Sequence, residues 1–310
     1  MMLKTYIINS LAILTVLIFC VNIYGSAGDG GDAGAFLKNG IGVRPISMGK
    51  AFVAVADDAN AGYWNPAGLA KLNHPEMSFM YSNPMNYDII GGGGVKDIGY
   101  HTLSIAYPSS FGSMGLNVAY LSVGDIFVVK DATGPTGEKF QDKELGIIAS
   151  YANSITEQIQ IGLNLKFVRQ SLWDKKGSGM GLDIGGIYEP MYNLTFGIML
   201  NDIVSPKIKL IENSYSIPRK LTAGLSYKLM DDKILTSVSV DKAGGRSPNF
   251  HIGTEVSPVK DLFIRAGYTT DTGELSAGIG FRISIIRLDY GLGLLSLGST
   301  HRLSFTMALQ

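Results

Sequence analysis

Paired acids and scattered histidines are where chemistry could begin in this sequence. Asp57-Asp58 could bind a cation, but helix capping and pairing with a lumen arginine are the blander explanations. His74, His101, His251 and His301 stand far apart, with no metal-ligand spacing. A hydrolase would need Ser, His and an orienting group meeting on one face, and neither His101 nor His301 has a serine partner by spacing. GGGG at 91–94 lacks the Lys-Ser/Thr that completes a phosphate loop, so it reads as a flexible outer loop. No catalytic, metal or cofactor site is expected.

Twelve other charges form a pattern. Glu144, Lys166, Asp183, Lys220, Lys228, Asp241, Glu255, Arg265, Arg282, Arg287, Asp289 and Arg302 each fall on the polar side of a run with period two. In residues 158–167 Ile159, Ile161, Leu163, Leu165 and Phe167 alternate with Gln158, Gln160, Gly162, Asn164 and Lys166. Charges of both signs would be ruinous in a sandwich core, because an unpaired buried charge is very costly. They suit a hydrated or plugged lumen.

The elements that must carry them are strands. Fourteen runs are read, at about 76–83, 98–107, 113–122, 141–152, 158–170, 178–189, 193–202, 217–229, 233–242, 249–257, 261–270, 274–284, 285–294 and 299–309. Most approach the 9–11 residues or so that a tilted strand needs to cross a bilayer. Longer links (84–97, 123–140, 171–177, 203–216) alternate with tight ones, as in an up-and-down barrel with short turns at one end. Tyr107, Tyr120, Tyr151, Tyr188, Tyr227 and Tyr268 near strand ends fit an aromatic girdle. The expected fold is an all-β, 14-stranded antiparallel transmembrane barrel.

Composition agrees. Charged residues make up 17 % and glycines number 39, nearly double the usual share. A net charge of zero argues against nucleic acid, whose phosphates demand a basic face. Lys4, the apolar run 7–21 and Gly25-Ser26-Ala27 read as a secretory signal peptide cleaved after Ala27, carrying away the single cysteine, Cys20. The expected organisation is a signal peptide at 1–27, a hatch at 28–75 and the barrel at 76–310, exported to the outer membrane. Fourteen strands enclose more space than wall side chains can fill. Residues 28–75 are the expected plug, with Asn65 capping a helix that begins at Pro66.

GVRPISMGKAFVAVADDANAGYWNPAGLAKL (42–72) resembles the N-terminal signature of the PorV/PorQ (UPF0164-type) family, within the wider FadL-like outer-membrane barrels. The match runs through Arg44, Met48-Gly49, Ala51-Phe52, Asp57-Asp58 and Trp64-Asn65-Pro66-Ala67-Gly68, with Leu69 following. The chain departs by ending on Leu309-Gln310, where insertion signals commonly finish on an aromatic. The resemblance implies a hatch inside a fourteen-stranded barrel, acting as a component or accessory of type IX-like secretion. Loops 84–97 and 123–140, with Met85, Tyr87, Ile126 and Phe127, would then meet secretion proteins or cargo. The alternative is a FadL-like passive channel for a hydrophobic, fatty-acid-like molecule, with Phe52, Trp64 and Leu69 touching ligand. A barrel that conducts nothing is the third reading. Outer-membrane lipid is the expected partner in every case.

Overall fold

Residues 33–83, 98–131, 134–210, 212–296 and 298–309 are described in a computed structural model. The expected signal peptide and the 84–97 link, with Met85, Tyr87 and the GGGG run, lie outside these residues.

Alternating sequence becomes paired strand at boundaries close to those expected, except where β3, β4 and β6 run longer. The strands are β1 (Glu76–Asn83), β2 (Ile98–Ser109), β3 (Gly112–Asp131), β4 (Gly134–Ser154), β5 (Ile159–Leu172), β6 (Lys175–Met191) and β7 (Leu194–Val204). A short hairpin, β8 (Lys207–Lys209) and β9 (Ser214–Ser216), interrupts the series. Then follow β10 (Lys220–Leu229), β11 (Ile234–Ala243), β12 (Asn249–Val256), β13 (Leu262–Thr269), β14 (Glu274–Ile283), β15 (Ile286–Leu295) and β16 (Gly298–Ala308). All but β8 and β9 close into a fourteen-stranded antiparallel barrel, with β1 pairing β16.

The pleat decides which side chains meet which solvent. On β5, Gln160, Asn164 and Lys166 are buried inward, while Ile161, Leu163 and Leu165 point out and are 45–54 % exposed. Ile252, Ile264, Ile279, Leu288 and Leu303 continue the outward apolar belt around the ring. So large an apolar surface is stable only against lipid or a partner. Tyr107, Tyr151, Tyr188, Tyr227 and Tyr268 also face outward near strand ends.

Two expected loops are not loops. At 123–140 the strands β3 and β4 run on, pairing Ile126 with Phe140 and Phe127 with Lys139 across register shifts. At 171–177 β5 and β6 run on to Leu172 and Lys175. Beyond the apolar belt the contrast between faces is lost. β3 is apolar on both, with Val128 buried and Phe127 and Val129 exposed, and the β4–β6 extensions are mostly polar on both. Alternation therefore vanishes from the sequence while the ladder hydrogen bonds persist.

Residues 33–72 fill the ring. A 3-10 helix (Ala35–Asn39), α1 (Val43–Ser47), α2 (Ala61–Trp64) and a second 3-10 helix (Pro66–Lys71) are joined by buried turns. α1 packs on β13–β16 and the second 3-10 helix on β2–β6. Asn65 caps as expected, its side chain accepting from the Ala67 amide at 3.2 Å with Pro66 opening the helix. The coil is 3-10, because Gly68 is pressed so hard on the Ala56 carbonyl that a Cβ would lie 1.8 Å from its oxygen. A tighter, thinner turn fits that space.

Candidate functional site

The hatch is seated on a wall of glycine. A Cβ at Gly185 would lie 2.2 Å from the Asn65 side-chain oxygen, and one at Gly162 2.4 Å from the Pro66 carbonyl carbon. One at Gly197 would lie 2.2 Å from the Val53 oxygen, and one at Gly253 2.1 Å from the Met48 oxygen. At Gly162, Gly197 and Gly253 backbone meets backbone, and no side chain can intervene. Asn65, fully buried, donates to the carbonyls of Val53 at 2.8 Å and Gly186 at 3.1 Å. From the wall, Asn117 donates to the Ala59 carbonyl at 3.1 Å and Asn164 to that of Gly62 at 2.8 Å.

One ion network ties hatch to wall. Arg44 donates through Nε and Nη2 to the two oxygens of Glu255 at 2.9 and 3.0 Å, and through Nη1 to Asp57 and Asp58. Arg265 bridges Glu255 at 2.6 Å and Asp289 at 2.7 Å, and Arg287 reaches Asp289 and Asp58. Burial would raise the pKa of the Asp57 carboxyl, but the charge and hydrogen bond of Arg44 hold it below the usual carboxylate range. Every charge in this group faces an opposite one, so none bears the full cost of leaving water. The expected pairing with a lumen arginine is made by Asp58 with Arg287, while Arg44 of the hatch itself pairs with both Asp57 and Asp58.

A cavity of about 420 Å³ lies at the long-link end. The hatch contributes Leu37, Lys50, Val53, Tyr63 and Trp64 to its lining, and the wall contributes Ile148, Lys166, Lys220 and His251. Trp64 donates Nε1 to the Ile41 carbonyl at 2.8 Å and meets Tyr63 edge to face at 4.9 Å. The β8–β9 link adds Ile217 and Pro218, and its main chain at Lys207 and Lys209 rests on Gly179 and Gly177 of β6. Beside the cavity the β6–β7 ladder breaks register, one residue between Leu182 and Ile184 facing three between Val204 and Leu200. Asp202, in the bulge, has φ +58°. Lys166 holds it at 2.9 Å and Asp183 at 3.1 Å, and Asp183 also accepts from the Asp202 amide.

His251 is the residue that sequence reasoning passed over. Counting back by twos from Glu255 puts it on the inner face, where Nε2 meets Asp241 at 2.5 Å and Nδ1 meets the Thr269 hydroxyl at 2.8 Å. The set is spelled like a Thr-His-Asp relay. However, Thr269 is 0 % exposed and its hydroxyl donates to Asp271, so no carbonyl can reach it. Its effect is to fasten Gly49, whose carbonyl also faces Nδ1, and the neighbouring Lys50–Asp271 pair at 3.3 Å.

Most of the twelve expected lumen charges point inward, including Glu144, which accepts from Gln170 at 2.7 Å, and Arg302, paired with Glu274 at 2.8 Å. Two do not line the lumen. Lys228 lies half-exposed at the short-turn end beside Asp232, and Arg282 is exposed over the Phe263 ring. Strand parity assigns a face but not a height, and these two fall past the plug. Of the three apolar residues expected to touch ligand, only Trp64 lines the cavity; Phe52 and Leu69 are 0 % exposed in the packed centre of the hatch.

No protein-family model matches the chain, and no curated protein matches it in sequence. The PorV/PorQ resemblance therefore stands on the 42–72 signature alone. Solved structures do match. The Ralstonia pickettii toluene transporter TbuX superposes with TM-score 0.67 at 13 % identity, over 87 % of this chain and 99 % of that one. The Pseudomonas putida toluene transporter TodX gives 0.61 at 12 %, over 93 % and 99 %. A Pseudomonas aeruginosa FadL homologue gives 0.56 at 11 %, over 84 % and 96 %. The chain shares their fold.

Proposed function

We propose that this protein is an outer-membrane channel of FadL-like type that admits a hydrophobic, fatty-acid-like molecule passively past its hatch. The observation that carries the reading is the cavity at the long-link end, which sets Leu37, Val53 and Trp64 opposite Lys220. The lining acids Asp183 and Asp202 are taken up by Lys166, Asp241 by His251 and Asp271 by Lys50. An apolar tail would lie on the hatch, and a carboxylate head would meet Lys220. The similar folds are those of toluene transporters and a FadL homologue, which favours small-molecule passage over secretion. The broken β6–β7 ladder is the wall's weakest point beside the cavity and would serve as a sideways exit. Placement in the outer membrane rests on the outward apolar belt and on reading residues 1–27 as a signal peptide.

Trp64 reports on the idea, since Trp173 is the only other tryptophan. In a Trp173→Phe background, oleate should change Trp64 fluorescence saturably, and Lys220→Gln should weaken that binding. A strictly linear response, the same in both proteins, would contradict the proposal. The 42–72 signature speaks for a second reading, an accessory of type IX-like secretion. That reading requires secretion proteins to co-purify from native membranes, whereas recovery of a lipid-like ligand alone decides against it.

A further inference from the structure

Above the apolar belt, on the outer surface of the wall, the extended hairpins β3–β4 and β5–β6 form a groove. Tyr120, Leu145, Phe140 and Trp173 line it with Lys139, Lys143, Arg169 and Lys176; no carboxylate is among the described residues that line it. Register fixes the arrangement. Lys143 pairs with Ser171, and Ser171 with Lys176, so two ammonium groups flank one hydroxyl across three adjacent strands. One row nearer the belt, Arg169 stands between Leu145 and Ser178. Neighbouring strands are about 4.8 Å apart, so Lys143 and Lys176 arise about 10 Å from each other, a span that a phosphate group can bridge. The nearby acids Asp142 and Glu144 alternate to the opposite face of β4.

The groove's position says what fills it. Directly below Arg169 and Lys143, on the same face, come Phe167, Leu165 and Ile147, the start of the belt that faces lipid. Trp173, the kind of amphipathic aromatic that settles at a membrane interface, stacks on Phe140 with ring centroids 5.8 Å apart. A free anion would have no use for the adjoining apolar strip. A molecule with phosphate on top and acyl chains beneath uses both.

We infer that this groove binds a phosphate-bearing lipid of the surrounding leaflet, its phosphate over Ser171 between Lys143 and Lys176 and its chains along Phe167 and Leu165. Cations near a membrane surface are each worth roughly fivefold in affinity for anionic lipid. The test is native mass spectrometry of the intact protein in detergent, titrated with bis-phosphorylated lipid A. The comparison is the triple variant Lys143→Gln, Arg169→Gln, Lys176→Gln, whose three positions are all exposed. The variant is checked by the heat-dependent gel mobility of a folded barrel. Wild type should retain lipid A about a hundredfold more tightly than the variant. Inorganic phosphate at millimolar concentration should not displace it. Equal retention by the folded variant would overturn the inference. So would displacement by inorganic phosphate, which marks a free-anion site, or equal binding of an uncharged diacylglycerol.

Discussion

Both ends of the Asn65 amide are committed, one to capping Ala67 and the other to carbonyls of hatch and wall. Asn65→Ala should therefore loosen hatch docking by on the order of 2–4 kcal/mol, at about 1 kcal/mol for each lost bond and more where a buried carbonyl is left bare. Faster proteolysis of residues 33–72 at unchanged barrel stability is the expected reading. The cap was legible in the sequence, because Asn-Pro fixes it within two residues. Its wall partners were not, because Gly162, Gly185 and Gly253 read only as high glycine content until the segment they accommodate is placed against them. Gly253→Val should displace the hatch, whereas Gly186→Ala, whose Cβ would meet Ile198 at an ordinary 3.5 Å, should not. Equal protease resistance in the two variants would contradict the glycine seat.

At the scale of elements, the latch between hatch and outer turn has a definite pH signature. Burial would raise the Asp271 pKa, but the charge of Lys50 and the hydrogen bond from Thr269 bring it down to about 2. An unfolded aspartate titrates near 3.9, so the folded pKa is the depressed one. The latch thus contributes fully above about pH 4, and its contribution is lost as pH falls toward 2. Hatch protection should be flat from about pH 7 to 5 and decline from about pH 4 downward, and Asp271→Asn should abolish that component of the decline. Strand positions were legible because each of the fourteen runs turns one side to grease and one to charge. The extensions of β3–β6 and the β8–β9 hairpin lie beyond the belt, where that contrast disappears. His251 stood on a readable face, but its pairing with Asp241 needed the register of β11 against β12.

Across the whole molecule, composition and architecture explain each other. The barrel is too wide for wall side chains to fill, so the N-terminal segment fills it. That segment fits because the wall gives up its side chains where the segment passes, and because Arg44, Arg265 and Arg287 cancel the acids around them. A cavity is left open on one side of the plug. The most direct measurement of this account is ion conductance in planar bilayers, comparing the full chain with a form lacking residues 42–72 that still shows a folded barrel's heat-dependent mobility. The full chain should be silent, and the shortened form should open a persistent pore of fourteen-strand width. A shortened form as silent as the full chain, or a full chain that conducts equally well, would contradict it.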